Sequence, residues 1–308
     1  MFARKHCSKH CLTANGSRHL NIIMSWENSM IVRSHHRVLI QGITGKQGSF
    51  WGQAMLDYGT QIVGGVNPKR AGETHLGVPV FASVCDGVKA LGDIDVSIMF
   101  IPPLLAKDAT IDAMRGGVKL LICLSEHIPM QDVMEMHFIA KKHKVQIVGP
   151  NTAGLVTVGE CFTGIMPAFN QRIFKKGKVG VISRSGSLGT LVCLELTKAG
   201  MGQSVFYGIG GDPMIGTSTK DALKILNEDD ATEAIVICGE IGGNMEEQAS
   251  EYISAKCTKP VIAFIAGKTS PAGKKMGHAG AIVADGKGDY ASKRSALEDS
   301  GAIIADLP

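Results

Sequence analysis

The sequence predicts an α/β protein built from two domains in series, a Rossmann-like domain followed by a flavodoxin-like, doubly wound domain. Two observations predict this class. Short, continuously apolar runs alternate with helix-length segments along most of the 308 residues, which is typical of parallel strands covered by helices on both faces. Glycine-rich loops follow nearly all of the predicted strands, and in open α/β sheets ligands bind beyond the carboxyl ends of the strands.

The first domain is expected over residues 37–160. Its strands are runs of four to eight residues rich in Val, Ile and Leu, and its helices are the longer mixed segments between them. Strands are predicted at 37–41, 61–66, 94–101, 119–124 and 145–148, and helices at 49–58, 106–115 and 131–142. Gly149-Pro150-Asn151 ends this series, and residues 155–177 are expected to form an irregular connection.

The second domain is expected over residues 161–308, as a five-stranded doubly wound unit. The same alternation predicts strands at 179–182, 203–207, 234–238, 260–265 and 302–305, and helices at 188–198, 218–226, 246–254 and 291–299. The glycine-rich loop of residues 267–288 precedes the last helix. The longest apolar runs are far too short to span a bilayer, so no membrane interaction is expected.

The net charge of +4 belongs to the N-terminal segment. Residues 1–37 carry six basic side chains and one acid, a charge of +5, which leaves −1 for the rest of the chain. A leader rich in Arg and Ser and poor in acids is typical of mitochondrial transit peptides, so residues 1–36 are interpreted as one and the mature protein is expected in the mitochondrial matrix. The nearly neutral body predicts no nucleic-acid binding, and the eight scattered cysteines show no zinc pattern.

His278 is the leading candidate for a catalytic side chain. It lies in the segment 267–288, here called the histidine loop, which contains six glycines and four lysines. Glycines permit backbone conformations that other residues avoid, so this loop is expected to move. A histidine in such a loop is suited to accept a group at one place and deliver it at another.

Two other loops offer partners for such a histidine. Glu240 follows an apolar strand within Gly239-Glu240-Ile241-Gly242-Gly243, and its carboxylate is suited to accept the Nδ1 proton of His278 and leave Nε2 free to attack phosphorus. The segment 183–187 follows another strand and reads SRSGS. Its hydroxyls and the amides of the helix that it begins can receive a phosphoryl group or simply cap the helix.

The first strand of the first domain leads into a nucleotide-type turn. Residues 42–48 read GITGKQG, a GxxGxxG spacing related to the dinucleotide fingerprint. After the next strand, where an NAD site has an acid, Lys69 and Arg70 supply two cations instead. This favours a ribose that carries an extra phosphate, as in NADP or coenzyme A. Gly267-Lys268-Thr269 resembles the end of a Walker A motif, but position 262 is Ile rather than Gly, so a nucleoside triphosphate is expected to bind on another subunit.

Together these segments resemble the α subunit of succinyl-CoA synthetase, from about residue 37 to the C-terminus. The resemblance is carried by the motifs GITGKQGSF, VGGVNP, HLGVPVF, GPN, GIMP, VISRSGSL, GIGGDP, GEIGGN and MGHAGAI. It implies a heterodimer, or a dimer of heterodimers, with a β subunit that binds most of the nucleotide, ATP or GTP with Mg. It also implies a reversible reaction that links succinate, coenzyme A and the nucleotide through a phosphohistidine.

The resemblance also assigns roles to individual positions. It implies that His278 is phosphorylated and that Glu240 orients it. The residues that it places against coenzyme A are Thr44, Gly45, Lys46, Gln47, Arg70, Leu124, Ser125 and Glu126. The residues that it places near the phosphoryl group and succinate are Ser185, Gly186, Ser187 and Thr190. No metal ligand is implied on this chain.

Several positions depart from the family pattern. Arg70 replaces the usual Lys, Thr152 replaces the cysteine of GPNCPG, and Thr190 replaces a Tyr of the carboxylate pocket. Thr190 therefore leaves open a related acid–CoA ligase for malate or citrate. These changes, with a chain end at Pro308 where relatives usually continue, also leave open a subunit that binds CoA or a β partner without turnover. An NADP dehydrogenase leaves His278 and Glu240 unexplained.

Overall fold

The computed structural model describes residues 31–270, 277–283 and 288–308. Within these ranges the chain forms two seven-stranded sheets, so the predicted α/β class with two sheets in series is confirmed. The first 30 residues of the expected transit peptide and parts of the histidine loop lie outside the described ranges. No helix in the described ranges is long and apolar enough to cross a bilayer.

The first sheet has Rossmann strand order, with β1 at its centre. All of its neighbouring pairs are parallel except β3 with β4, and the order is β3-β4-β2-β1-β5-β6-β7. Every residue of β1, β5 and β6 is buried, as expected for strands covered on both faces. The strands are β1 (Val38–Gln41), β2 (Ile62–Val66), β3 (Thr74–His75), β4 (Val78–Phe81), β5 (Val96–Met99), β6 (Leu120–Cys123) and β7 (Gln146–Val148).

The helices of this domain connect consecutive parallel strands. Helix α1 begins directly after Gly45 and ends at Gly59, which takes the left-handed conformation (φ 114°) that a helix end favours. The helices are α1 (Lys46–Tyr58), α2 (Val84–Leu91), α3 (Ala106–Arg115) and α4 (Met130–His143), with a 3₁₀ turn at Pro103–Leu105. Helix α3 has the predicted bounds, whereas α2 and the hairpin β3–β4 were not predicted.

The second sheet has a flavodoxin-like core of five parallel strands in the order β11-β10-β12-β13-β14. The antiparallel hairpin β8–β9 extends the sheet beside β11. The strands are β8 (Gly154–Thr157), β9 (Cys161–Gly164), β10 (Lys176–Ser183), β11 (Gln203–Gly208), β12 (Ala234–Glu240), β13 (Val261–Ala266) and β14 (Ile303–Ala305). The helices are α5 (Gly186–Lys198), α6 (Thr219–Glu228), α7 (Met245–Lys256) and α8 (Tyr290–Asp299).

The hairpin β8–β9 corrects the prediction of an irregular connection over residues 155–177. All eight residues of the two strands are buried, and β10 begins at Lys176, three residues before the predicted strand. The chain therefore enters the second sheet between Val148 and Gly154, earlier than the expected division after residue 160. The predicted five-stranded unit is the parallel core of a larger sheet.

The hairpin also joins the two domains, because its Phe162 packs against helix α1. The Phe162 ring meets the rings of Tyr58 and Trp51 edge-on, at centroid distances of 5.4 and 6.5 Å. The buried Thr60 hydroxyl donates to the Phe162 carbonyl (2.7 Å) and accepts from its amide (3.1 Å). One hydrophobic cluster consequently contains residues of both sheets.

Candidate active site

The candidate site lies where the carboxyl ends of the two sheets face the same connecting loops. In the second sheet, β10 lies between β11 and β12, so right-handed crossover connections place the helices after β10 and β11 on opposite faces. Such a reversal of strand order leaves a crevice beyond the strand ends. Arg184 directly follows β10, and Glu240 is the last residue of β12, so the topology places both at this crevice.

His278 and Glu240 are paired in the structure. Nδ1 of His278 lies 2.8 Å from Oε2 of Glu240. The Glu240 side chain is 7% exposed and that of His278 is 26% exposed, so the imidazole lies at the surface of the crevice and the carboxylate beneath it. The hydrogen bond to Glu240 raises the pKa of His278, and burial opposes it. Because Nδ1–H donates to Glu240, Nε2 is the ring nitrogen that is available to react.

Arg184 forms the next layer beneath this pair. Its Nε lies 3.2 Å from Oε1 of Glu240 as an ion pair without hydrogen-bond alignment. Its Nη1 donates to the carbonyl oxygens of Glu240 (3.4 Å) and Gly242 (3.2 Å). The Arg184 side chain is 2% exposed. Glu240 is thus held between a buried cation and the imidazole, which fixes the carboxylate in place.

The loop after β11 covers one face of the imidazole. A Cβ atom on Gly211 would lie 2.4 Å from Cγ of His278, so only glycine lets the backbone come this close. The next residue, Asp212, accepts a hydrogen bond from the Asn151 side chain at 3.0 Å. Burial raises the pKa of the Asp212 carboxyl, and the Asn151 hydrogen bond opposes it.

The connection between the two sheets links this loop to the first domain. The Asn151 amide donates to the Ser125 carbonyl at 2.9 Å, and the Asn151 carbonyl accepts from the Gly211 amide at 3.1 Å. Two backbone hydrogen bonds therefore separate the loop after β6 from the glycine that contacts His278. Glu126 in that loop also raises the pKa of His278 through its charge.

The turn expected to contact coenzyme A lies at the start of α1. Gly45 is the N-cap residue, and Lys46 and Gln47 are exposed in the first turn. The Thr44 hydroxyl accepts a hydrogen bond from the Asn67 amide, so the turn after β1 is tied to the turn after β2. A Cβ on Gly48 would lie 2.2 Å from the Gly42 carbonyl oxygen, so the tightness of the turn itself requires that glycine.

The remaining residues predicted for coenzyme A lie on neighbouring strand ends. Arg70 is 43% exposed and pairs with Glu73 at 2.6 Å, a partner that was not predicted. The Ser125 hydroxyl donates to the Ile101 carbonyl, which joins the loops after β6 and β5. Leu124 packs partly buried against the core, and Glu126 is 44% exposed. The structure thus brings these loops to one edge of the first sheet.

The predicted phosphate and carboxylate residues lie at the start of α5. Ser185 caps the helix by accepting from the Leu188 amide at 3.3 Å, and its hydroxyl lies 3.1 Å from that of Ser187. A Cβ on Gly186 would lie 2.8 Å from Cβ of Ala153, so the helix start touches the connection between the sheets. The Thr190 hydroxyl donates to the Gly186 carbonyl at 2.7 Å within its own helix.

Thr152, which stands where the family has a cysteine, is a buried structural residue. Its hydroxyl donates to the Gly208 carbonyl at 2.6 Å and accepts from the Gly154 amide at 2.9 Å. The first bond ties the connection between the sheets to the end of β11, and the second lies within the connection at the start of β8. The substitution therefore has a hydrogen-bonding role within the fold.

The roles of Arg184, Asp212 and Asn151 were missed in the sequence. All three lie in motifs that were recognised there, SRSG, GIGGDP and GPN, at predicted strand ends. Their position in glycine-rich loops was the available signal, but it does not tell which side chains turn inward. In the described part of the chain no group of three His, Cys, Asp or Glu side chains is arranged to hold a metal ion.

Comparison with known families first defines a class of protein. Residues 33–127 match the model of the CoA binding domain, and residues 182–303 match that of the CoA-ligase domain. The first match contains the turns after β1, β2 and β6, and the second contains Arg184, Glu240 and His278. The chain therefore combines a domain for coenzyme A with a CoA-ligase domain.

Curated relatives then define the family. The succinate–CoA ligase [ADP-forming] subunit alpha of Aquifex aeolicus is 45% identical over 282 residues, which cover 91% of each chain. Subunit alpha 1 of the same enzyme from Archaeoglobus fulgidus is 45% identical over 278 residues, which cover 90% of this chain and 94% of the relative. The chain belongs to the succinate–CoA ligase alpha-subunit family, and the resemblance recognised in the sequence is confirmed.

A solved structure with the same fold is the ATP citrate lyase of Methanothrix soehngenii in complex with citrate and coenzyme A. The two superpose with a TM-score of 0.81 at 24% identity, over 89% of this chain and 48% of that one. This similarity shows that the arrangement of the two sheets is shared. The chain spans about half the length of that lyase.

The expected mitochondrial location is wrong. The curated relatives that match over nine-tenths of the chain come from bacteria and archaea, including Aquifex aeolicus and Archaeoglobus fulgidus, and these organisms have no mitochondria. The basic composition of residues 1–36 led to the error, because an Arg- and Ser-rich segment has the same composition whether or not it directs import.

Proposed function

We propose that the chain is the alpha subunit of an ADP-forming succinate–CoA ligase, and that it works with a beta subunit. The observation that carries the proposal is the 2.8 Å contact between His278 Nδ1 and Glu240 Oε2. The family and the names of the curated relatives support the reaction and the nucleotide. ATP, with its Mg ion, would bind mainly on the beta subunit, as the resemblance to the family implies.

In the first step His278 acts as the nucleophile. Because Nδ1–H donates to Glu240, the lone pair of Nε2 points away from the carboxylate and attacks the γ-phosphorus of ATP, and ADP leaves. The product is a phosphohistidine whose proton remains on Nδ1 and is donated in a hydrogen bond to the Glu240 carboxylate. The carboxylate, backed by Arg184 at 3.2 Å, balances the positive charge that the ring gains, as the acid of a catalytic triad does.

In the following steps the phosphoryl group leaves the histidine. A carboxylate oxygen of succinate attacks phosphorus, the P–N bond breaks, and the electron pair returns to Nε2, which gives succinyl phosphate. The thiolate of coenzyme A then attacks the acyl carbon and phosphate departs. Ser185 and Ser187 at the start of α5 would bind the phosphoryl oxygens, because hydroxyls and a helix N-terminus stabilise anions.

Each domain has a separate task in this proposal. The Rossmann-like domain would bind coenzyme A through Thr44–Gln47, Arg70 and Leu124–Glu126, and the flavodoxin-like domain would carry His278. The hydrogen bonds through Asn151 support transfer between them, because they place the loop of Ser125 beside the loop that covers the imidazole. The movement of the histidine loop that its glycines predict remains a prediction.

Phosphate transfer tests the proposal directly. The full chain, combined with its beta subunit and labelled ATP, is expected to acquire acid-labile label on His278. The His278→Asn variant should remain unlabelled, whereas His143→Asn, a change at the exposed end of α4, should label like the wild type. Addition of succinate and coenzyme A should discharge the label, while malate and citrate should not. Label on His278→Asn, or none on the wild type, contradicts the carrier role.

A further inference from the structure

A row of buried charges with alternating sign leads from His278 to helix α8. Beyond Glu240 and Arg184, the Arg184 Nη1 lies 3.8 Å from Oε1 of Glu246. The other oxygen of Glu246 accepts a hydrogen bond from Nζ of Lys293. The side chains of Glu246 and Lys293 have no exposed surface, and those of Arg184 and Glu240 are 2% and 7% exposed.

Lys293 is the innermost residue in this row of buried charges. Its ammonium has three acceptors, which are the carboxylates of Glu246 and Glu247 (3.0 Å) and the Gly243 carbonyl (3.1 Å). A lysine is almost never fully buried unless it is paired. Lys293 also lies in the first turn of α8, where the helix dipole disfavours a cation. Helix stability therefore does not explain a lysine at this position.

These four charged residues come from four separate segments of the fold. Arg184 follows β10, Glu240 ends β12, Glu246 lies in the first turn of α7, and Lys293 lies in the first turn of α8. Glu246 also accepts the amide hydrogen of Glu240 at 3.2 Å. The row of buried charges thus joins four independent elements at the carboxyl edge of the second sheet.

Arg184 is shared between two carboxylates, since its guanidinium lies 3.2 Å from Glu240 and 3.8 Å from Glu246. Which of the two carboxylates attracts Arg184 more strongly depends on the charge of Glu246. Lys293 neutralises Glu246, so the attraction of Glu240 prevails. Without the lysine, an uncompensated and buried Glu246 would draw Arg184 toward itself.

We propose that Lys293 is a positioning residue for His278: by neutralising Glu246 it keeps Arg184 against Glu240, and so sets how strongly Glu240 binds the imidazole. The inference rests on the proposed carrier role of His278, because it assigns the tuning of that residue to a lysine on another helix. Lys293 itself touches no reacting atom.

The proposal predicts that the pKa of His278 shifts in opposite directions when the charge of Lys293 or the charge of Glu246 is removed. Loss of the Lys293 charge leaves Glu240 less compensated, so the carboxylate holds a proton on His278 more firmly and the pKa of His278 rises. Loss of the Glu246 charge leaves Arg184 to Glu240 alone, and the pKa of His278 falls. A role confined to packing would instead move the pKa toward that of free imidazole in both variants.

The other charged groups that face His278 are unchanged in these variants. Glu240 ends β12, Arg184 follows β10, Asp212 lies after β11 and Glu126 after β6. Arg184 lowers the pKa of His278 through its charge, and Glu126 raises it. Differences in the pKa of His278 between variants of Lys293 and Glu246 therefore report on the row of buried charges.

The test is a titration of His278 in the full-length chain, with ¹³C at histidine Cε1 and the signal assigned by its loss in His278→Asn. Lys293→Met is expected to raise the pKa of His278 by roughly 0.5 or more, and Glu246→Gln to lower it by a similar amount. Lys178→Met removes a lysine that is 68% exposed near the far end of β10, and it should leave the pKa unchanged. Shifts in the same direction, or none, overturn the proposal.

Two further variants keep the test decisive if Lys293→Met does not fold. Lys293→Arg keeps the charge and should keep the wild-type pKa. The double variant Lys293→Met with Glu246→Gln removes both charges of a buried pair, which proteins tolerate better than the loss of one, and its pKa should return toward the wild type. A Glu246→Gln variant whose His278 pKa rises or stays constant overturns the proposal without any Lys293 variant.

Phosphorylation with the beta subunit is measured separately against pH. The labelling profile of Lys293→Met is expected to move to higher pH, since more of the imidazole is protonated at a given pH, and that of Glu246→Gln to lower pH. The titration needs no nucleotide. Wild-type protein that is never labelled therefore contradicts the carrier role, while the expected pKa shifts still support the positioning of the imidazole by Lys293.

Discussion

At the scale of single residues, Gly211 shows how closely the backbone approaches the reactive imidazole. A Cβ atom at this position would lie 2.4 Å from Cγ, 2.5 Å from Cδ2 and 2.8 Å from Nδ1 of His278. Real Cβ atoms do not make such contacts, so the ring would have to move. The hydrogen bond between Nδ1 and Glu240 would then lengthen or break.

Gly211→Ala is therefore expected to slow phosphorylation of His278 by about 100-fold, because displacement of a reacting group by about 1 Å has effects of this size. The initial rate of labelling from ATP measures it. Gly116→Ala is the matched control, since its Cβ would meet a Val84 methyl group in the first domain at 3.1 Å. Equal labelling rates in Gly211→Ala and Gly116→Ala would contradict the predicted displacement.

The pairing of His278 with Glu240 was predictable from the sequence, whereas the layers beneath it were not. Glycine-rich loops at strand ends identified both residues. The buried positions of Arg184, Glu246 and Lys293 were not predictable, because charged residues are usually exposed and sequence spacing does not show which ones turn inward. Lys293 lies in a helix with abundant polar residues, so nothing in its neighbourhood marks it.

At the scale of secondary-structure elements, the start of helix α8 determines where Lys293 lies. Asp289 is the N-cap residue of this helix, and its carboxylate accepts the Ser292 amide hydrogen at 2.7 Å. The same first turn places Lys293 in the row of buried charges. Order in this turn therefore affects the site through the position of the lysine.

Asp289→Ala is expected to lower the free energy of unfolding by about 1 kcal/mol, the usual cost of losing an N-cap. Hydrogen exchange of the Ser292 amide should accelerate most, because this amide loses its acceptor. Asp289→Ser retains an acceptor oxygen and serves as the control in thermal unfolding and exchange. Unchanged protection of the Ser292 amide in Asp289→Ala would show that the cap does not hold the first turn.

The predicted elements succeeded for the parallel strands and the longer helices and failed for the two antiparallel hairpins. The parallel strands and the longer helices were placed within a few residues, because continuous apolar runs and amphipathic segments mark them. The hairpins β3–β4 and β8–β9 are antiparallel pairs that extend the parallel sheets. Such strands owe their position to the sheet edges that they join, and this information is not local.

At the scale of the whole molecule, the hairpin β8–β9 couples the two sheets through Phe162. This ring is 1% exposed and lies in one core cluster with residues of both domains. Its partners Trp51 and Tyr58 belong to α1 of the first domain. The two domains are therefore expected to unfold as one unit.

Phe162→Ala is expected to lower the free energy of unfolding by about 3–5 kcal/mol and to separate the unfolding of the two domains. The chain has two tryptophans, so in a Trp26→Phe background the fluorescence of Trp51 reports on the first domain, and far-ultraviolet circular dichroism reports on both. Phe138→Ala, at a phenylalanine that is 72% exposed, is the control and should change stability little. Coincident transitions at wild-type stability in Phe162→Ala would rule out this coupling.

The complete burial of Lys293 also protects the protein from its own chemistry. Acyl phosphates and thioesters can transfer their acyl groups to exposed lysine amines, and the proposed reaction forms one of each. Lys293 has no exposed surface, and each of its three N–H bonds points to an oxygen acceptor. Its nitrogen therefore offers no accessible lone pair to an activated acyl group, and the positive charge can serve the site without being acylated during turnover.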